Sequence, residues 1–306
     1  MTLALSRLLD DLDIEIARMT TQTNPPKQSI MIDETDDGLW SFVNVMGARL
    51  SDGSFGSKTV FVDEARNRHE GDVLHYDRDG RLIYQLPSAK VTPWRCAMMA
   101  ALALGYRDID NRHVGIIGAG AIGVAVANVL ARLAEDLQIK KITVKTGQRP
   151  LLNVNLMPDL ADMTDNYLDL EGCTTLITAT NHVGEPLETN IDSMPIEVVA
   201  FDQGWLLGPS WRDEYLNYSD MPAQLAKCAV DEFPHDDDLD EVANMAPIQS
   251  MSTEVFKLNS PRTACYLYGV ATADLVVGRA LHEWMIAESA SHRDIINHIW
   301  SWGGMR

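Results

Sequence analysis

The chain has 306 residues, more than a single hydrophobic core ordinarily organises, so two domains are expected. Its 25 Lys plus Arg against 44 Asp plus Glu give a formal charge of −19, which repels phosphate backbones and anionic lipid and argues against nucleic-acid or membrane-surface partners. With 46% hydrophobic and 23% charged residues, the composition is that of an ordinary globular protein, not of a disordered chain.

The first segment, MTLALSRLLDDLDIEIARM, has no cationic flank, and its acids come too early for a secretory apolar region. It reads as an amphipathic helix, and a cytoplasmic location is expected. SIMIDET (29–35), LWSFVNVMGARL (39–50) and SKTVFVDEA (57–65) read as strands, and VLHYDRDGRLIYQL (73–86) as a hairpin around Asp79-Gly80, together an antiparallel sheet. Thr92-Pro93 predicts the start of a helix, with Thr as N-cap and Pro at the first helical position. Arg95 would then lie in the first turn, where its charge and the helix dipole together attract an anion.

Val114–Ala131 is an 18-residue stretch without a charge, long enough to resemble a membrane span. The glycines argue otherwise. Gly118, Gly120 and Gly123 form G-x-G-x-x-G after the apolar run His113–Ile117, before a segment with Ile122, Val126, Val129 and Leu133 on one helical face, and KKITVKT (140–146) follows as a strand. A strand–turn–helix–strand unit of this kind is what a Rossmann dinucleotide-binding fold requires: a tight turn, backbone close to the pyrophosphate, and free N–H groups at a helix N-terminus. NAD enzymes usually place an acid at the end of the second strand, but here the chain reads Lys145-Thr146-Gly147-Gln148-Arg149. Arg149, with Thr146 and Gln148, suits a 2′-phosphate, which favours NADP over NAD.

TTLITAT (174–180), IEVVAF (196–201) and KCAV (227–230) read as further buried parallel strands. Ligands bind beyond the carboxyl ends of such strands, which gathers Gly118, Thr180-Asn181-His182 and Asp202-Gln203-Gly204 around one crevice. The acidic run DEFPHDDDLDE (231–241) reads as a solvated loop rather than a metal site. Ser260-Pro261 reads as the cap of a final helix through ACYLYGVATADLVVGRALHEWMIAE. Cys96, Cys173, Cys228 and Cys265 lack any ligand spacing and read as small buried thiols.

The order of parts carries a resemblance. A Lys after a glycine-rich strand start (GSFGSK), T-x-x-R opening a helix (TPWR), GAG at a Rossmann turn, TAT after a strand, a single Asp after another (VVAFD), and G-x-A-x-x-D at Gly269–Asp274 are similar to the ornithine cyclodeaminase and mu-crystallin family over nearly the whole chain. The resemblance implies an α/β protein with a Rossmann NAD(P)-binding domain (109–274) and a discontinuous α+β substrate-binding and dimerisation domain (1–108 and 275–306), assembled as a homodimer. It implies an oxidoreductase that moves a hydride at the α-carbon of an amino or imino acid, as ketimine reductases and amino-acid dehydrogenases do. The alternatives are a cyclodeaminase that recycles its NAD, and a non-catalytic NADPH-dependent binding protein.

Carried over by position, Lys58 and Arg95 bind the substrate carboxylate, Lys58 also donates a proton, and Asp202 acts as base or holds the amine. Cofactor contacts are expected from Thr92, from Gly118, Ala119, Gly120, Ala121, Ile122 and Gly123, from Thr146 and Arg149, and from Thr178, Ala179 and Thr180. An α-amino acid needs cations for its carboxylate, an anion for its amine and a dinucleotide beside its α-carbon, and these residues supply that set. The chain also departs from the family pattern. It reads Glu70-Gly71-Asp72-Val73-Leu74 where G-L-P-T is frequent, its first strand lacks an arginine, Cys96 stands for a Thr, and Ile122-Gly123 stands for Gln-Ala. These departures point to an outlying member with its own substrate.

Overall fold

The computed structural model describes residues 4–34, 40–63, 68–147, 156–180, 191–201, 211, 214–222, 245–253 and 262–287. The chain divides into two compact units: one runs to Arg95 and resumes at Gly269, and the other takes Cys96–Tyr268.

The first unit opens with helix α1 (Leu5–Ala17), whose Leu5, Leu8, Leu12 and Ile16 are buried. Their spacing places them on one helical face. Five strands follow as an antiparallel meander in the order β1-β2-β3-β4-β5: β1 (Gln28–Glu34), β2 (Trp40–Arg49), β3 (Phe55–Asp63), β4 (Arg68–Tyr76) and β5 (Leu82–Pro87). The β4–β5 turn is built on Asp77, whose carboxylate accepts the N–H groups of Asp79 and Arg81. Here the expected strands and the Asp79-Gly80 hairpin are found.

Helix α2 (Ser88–Gly105) starts one turn earlier than its sequence signals predict, so Pro93 lies inside it. Thr92 is therefore no N-cap; its hydroxyl instead donates to the Ser88 carbonyl at 2.7 Å. Arg95 is not in the first turn either, and the dipole, which fades within that turn, adds nothing to its charge. The segment before the proline folds as helix because Val91 and Ser88 are buried, and that packing overrides the local proline signal.

The second unit holds an eight-stranded parallel sheet in the order β12-β11-β13-β10-β9-β6-β7-β8. Its strands are β6 (Arg112–Ile117), β7 (Ile139–Lys145), β8 (Ala161–Thr164), β9 (Thr175–Thr178), β10 (Glu197–Ala200), β11 (Tyr215–Ser219), β12 (Ala246–Pro247) and β13 (Arg262–Tyr266). Helix α3 (Ala121–Arg132) joins β6 to β7 and buries Val124, Val126, Val129 and Leu130. Successive strands run outward from β6 through β7 to β8, and the chain then returns to β6's other side with β9. The resulting switch point between β6 and β9 is where open α/β sheets bind ligands.

Two expectations need correction. Arg262–Tyr266 is not the start of the last helix but the strand β13, paired between β10 and β11. A strand buried on both faces shows no alternation, so its apolar run resembles buried helix. The last helix, α4 (Ala271–Ala287), packs on α1 and on β2, β3, β4 and β5. The boundaries also differ from 108 and 275. Arg112, which is 1% exposed, donates to the carbonyls of Leu104, Arg107 and Leu137, so the end of α2 is fastened to the parallel sheet. The expected strand 227–230 and the acidic run 231–241 lie outside the described residues.

Candidate functional site

The first unit contains a buried ion cluster. Lys58 stands on β3 opposite Met46 of β2 and Val73 of β4, on the inward face of the sheet, and is 2% exposed. Gly56, two residues earlier on the same face, makes room for α4: a Cβ there would stand 2.5 Å from a Leu275 methyl carbon. With α4 this close, the Lys58 ammonium donates to Asp274 Oδ1 at 2.8 Å and to Thr92 Oγ1 at 2.7 Å. Arg95 Nε lies 3.6 Å from the same Oδ1. A buried charge without a counter-ion is prohibitively costly, and Asp274, itself fully buried, supplies one to both cations.

In the sequence Asp274 shows only as the end of G-x-A-x-x-D, a pattern that by itself gives it no role. A signal existed: an ionisable residue within the otherwise uncharged stretch Ala271–Gly278 is costly unless paired. Thr92, expected at the cofactor, has its hydroxyl hydrogen on Ser88 and accepts from Lys58.

The second unit holds the glycine turn. Gly118 ends β6 with φ +109°, and a Cβ there would stand 2.3 Å from the Ala179 carbonyl oxygen. Only glycine fits that conformation and that approach. A Cβ on Gly123 would stand 1.8 Å from the Gly118 carbonyl oxygen, so the helix can meet the turn only without one. At Gly120 a Cβ would meet no atom of the described residues within 4 Å apart from its chain neighbours. Gly120 is also the N-cap of α3, with no side chain capping it and no acid in the first turn. The opening N–H groups of α3, at Ala121, Ile122 and Gly123, thus stand beside space that no described residue fills at Gly120, the arrangement that takes a phosphate.

Neighbouring residues frame this turn. Gly118 N–H donates to the Lys145 carbonyl at 2.9 Å, and Ala179 N–H to the Ile117 carbonyl at 2.8 Å, which ties Ala119's turn to the ends of β7 and β9. Thr178 is fully buried, and Thr180, just beyond it, is half-buried. Thr146 gives both its N–H and its hydroxyl to the Thr164 carbonyl. At the end of β7, where an acid is usual, Lys145 places its ammonium 4.5 Å from the centre of the Tyr167 ring. Arg149, Asp202 and His182 lie outside the described residues.

Other reactive groups are quiet. Cys96, Cys173 and Cys265 are buried thiols outside any disulfide. Burial pushes the Cys173 thiol up to about 12 and the Cys265 thiol well above its ordinary range, so both stay protonated. Among the described residues no group of His, Cys, Asp and Glu is placed to hold a metal ion, and no helix is long and apolar enough to cross a membrane.

Neither a protein-family model nor a curated protein matches the chain. Solved structures do. A probable ornithine cyclodeaminase from Bordetella pertussis Tohama I is similar over 94% of each chain, with TM-score 0.73 and 16% identity. The Thermococcus litoralis Δ1-pyrroline-2-carboxylate reductase, solved with NADH and L-proline, covers 94% of this chain and 95% of its own, with TM-score 0.71 and 15% identity. The iminosuccinate reductase of Paracoccus denitrificans, solved with NAD+, covers 94% and 93%, with TM-score 0.68 and 16% identity. The chain has the fold of these proteins along nearly its whole length.

Proposed function

We propose that this protein is an NAD(P)-dependent oxidoreductase that moves a hydride at the α-carbon of an amino or imino acid. The observation that carries this reading is the Lys58–Asp274–Arg95 cluster, two buried cations around one carboxylate, in a fold shared with enzymes solved with NADH and L-proline or with NAD+. The three ionised groups sum to one positive charge, which suits one substrate carboxylate.

The dinucleotide belongs at the glycine turn, with its pyrophosphate on the N–H groups of Ala121, Ile122 and Gly123 and beside Gly120. When bound, it supplies or accepts the hydride. Arg95 and Lys58 hold the carboxylate; in the reductive direction Lys58 gives a proton to the imine nitrogen as its carbon gains the hydride, leaving an amine. Asp202 acts as base in the reverse direction or holds the substrate amine. Arg149 with Thr146 favours NADP over NAD, and Thr178, Ala179 and Thr180 complete the cofactor contacts of the second unit, whereas the Thr92 hydroxyl is engaged by Ser88 and Lys58. The domain that carries Lys58 also makes the homodimer: its edge strand β1 exposes Ile30, Met31 and Ile32.

The test is a substrate panel of cyclic imines and α-keto acids with ammonia or methylamine, with NADPH or NADH absorbance as readout. Oxidation of the cofactor supports the reading. Ammonia release from ornithine or lysine without net cofactor change replaces it with a cyclodeaminase, and cofactor binding without turnover across the panel replaces it with a binding protein.

A further inference from the structure

We infer that Asp274 is a positioning residue that holds Lys58 as a charged ammonium and aims it, with Arg95, at the substrate carboxylate. Lys58 stands between apolar Met46 and Val73, surroundings that favour a neutral amine. Asp274 Oδ1 at 2.8 Å opposes that tendency directly. Thr92 cannot substitute for it. Its hydroxyl hydrogen is on Ser88, so its oxygen accepts from Lys58 without supplying charge. Arg95, 3.6 Å from the same Oδ1, is a cation that would repel Lys58 were the carboxylate absent. Of the other titratable groups near this carboxylate, Tyr84 has its hydroxyl on the Leu275 carbonyl, and Arg279 stands further along α4, where it meets Asp52.

One carboxylate oxygen, Oδ1, serves both cations. Removing the charge at Oδ1 has two effects of the same sign: Lys58 loses an attraction, and the repulsion between Lys58 and Arg95 is no longer offset at that oxygen, so Lys58 gives up its proton at lower pH.

The effect on turnover rests on the amino- or imino-acid reading above, but the charge of Lys58 does not, and it is measured separately. Competitive acetylation with acetic anhydride across a pH series, followed by mass spectrometry of the Lys58 peptide, yields a midpoint that reports charge and a plateau that reports access. In Asp274→Asn the Lys58 midpoint should fall by about one pH unit or more, with about tenfold more acetylation near neutrality, while Asp274→Glu restores the original titration. Unchanged midpoints in Asp274→Asn overturn the proposal. Should that variant not fold, the unmodified chain decides: Lys58 must stay charged through neutral pH, and a midpoint at or below neutrality overturns the proposal.

With a substrate in hand, Asp274→Asn should shift the alkaline limb of the pH–rate profile downward and raise KM. In a Lys58→Met background the same change should no longer move the alkaline limb, because that limb reports Lys58, while KM still rises through Arg95. An alkaline limb that Asp274→Asn still shifts in that background overturns the role. Absence of turnover in the unmodified protein counts against the enzyme reading and leaves the titration to decide on Asp274.

Discussion

Gly269 lies against the guanidinium of Arg95: a Cβ built on this glycine would stand 2.7 Å from one terminal nitrogen and 2.9 Å from the central carbon. The glycine, at φ +93°, thus shapes the place that Arg95 occupies. Gly269→Ala should move the guanidinium off Asp274 and strain the backbone as well. We expect KM for the substrate to rise about tenfold or more with a smaller fall in kcat. Steady-state kinetics on the substrate found by the panel check this, and an unchanged KM would show that Arg95 does not hold the carboxylate.

The three glycines of the turn should separate cofactor binding from folding. Gly120 has φ −75°, which any residue adopts, and its Cβ would meet no atom of the described residues beyond its chain neighbours. Gly120→Ala should leave the melting temperature unchanged yet weaken NADPH or NADH binding about tenfold, because the methyl takes space meant for the pyrophosphate. Gly123→Ala should lower both, since its Cβ would stand 1.8 Å from the Gly118 carbonyl oxygen and the helix must withdraw. Fluorescence titration with each reduced cofactor, beside thermal melting, distinguishes the two variants. Equal affinity in Gly120→Ala would place the dinucleotide elsewhere.

These contrasts show what a sequence displays and what it conceals. The turn from Gly118 to Gly123 was legible because its chemistry depends on fixed short spacing along the backbone. So was the hairpin at Asp79-Gly80, where one side chain organises its own turn. The Lys58–Asp274 bond spans 216 positions, and no local pattern announces such a partner; only the cost of burying either charge hints at it. Thr92-Pro93 misled because a strong local start signal yielded to the packing of Ser88 and Val91. Arg262–Tyr266 misled because a strand covered on both faces carries no period to read.

Acid should loosen the first unit through His75. This histidine is fully buried; desolvation, and after it the charge of Arg279, hold it down at about 4. Its Nε2 lies 3.0 Å from Ser54 Oγ and 3.3 Å from Arg279 Nη2, with Asp52 and His282 also nearby. The unfolded chain takes up a proton as pH falls below about 6.5, and the folded chain does not until about 4. Stability is therefore full above the ordinary histidine range and declines across that interval, by about 3 kcal/mol at most. Urea midpoints at a series of pH values should show this decline, and His75→Gln should remove much of it. An equal slope in that variant would assign the acid sensitivity to carboxylates instead.

Strand β1 supplies a test of assembly. Ile30, Met31 and Ile32 are 57%, 51% and 56% exposed, and since successive side chains alternate, both faces of an edge strand present apolar surface. An edge strand also offers an outer row of backbone donors and acceptors, and soluble proteins normally blunt such edges with charge. A second copy of the chain pairing or packing here would cover both features at once, consistent with a two-fold interface. Ile30→Lys with Ile32→Lys should convert a dimer into a monomer in sedimentation velocity while the far-ultraviolet spectrum stays unchanged, because neither side chain contributes to the buried core. A dimer that survives both charges lies on another surface, and a chain that is monomeric before substitution has no such interface.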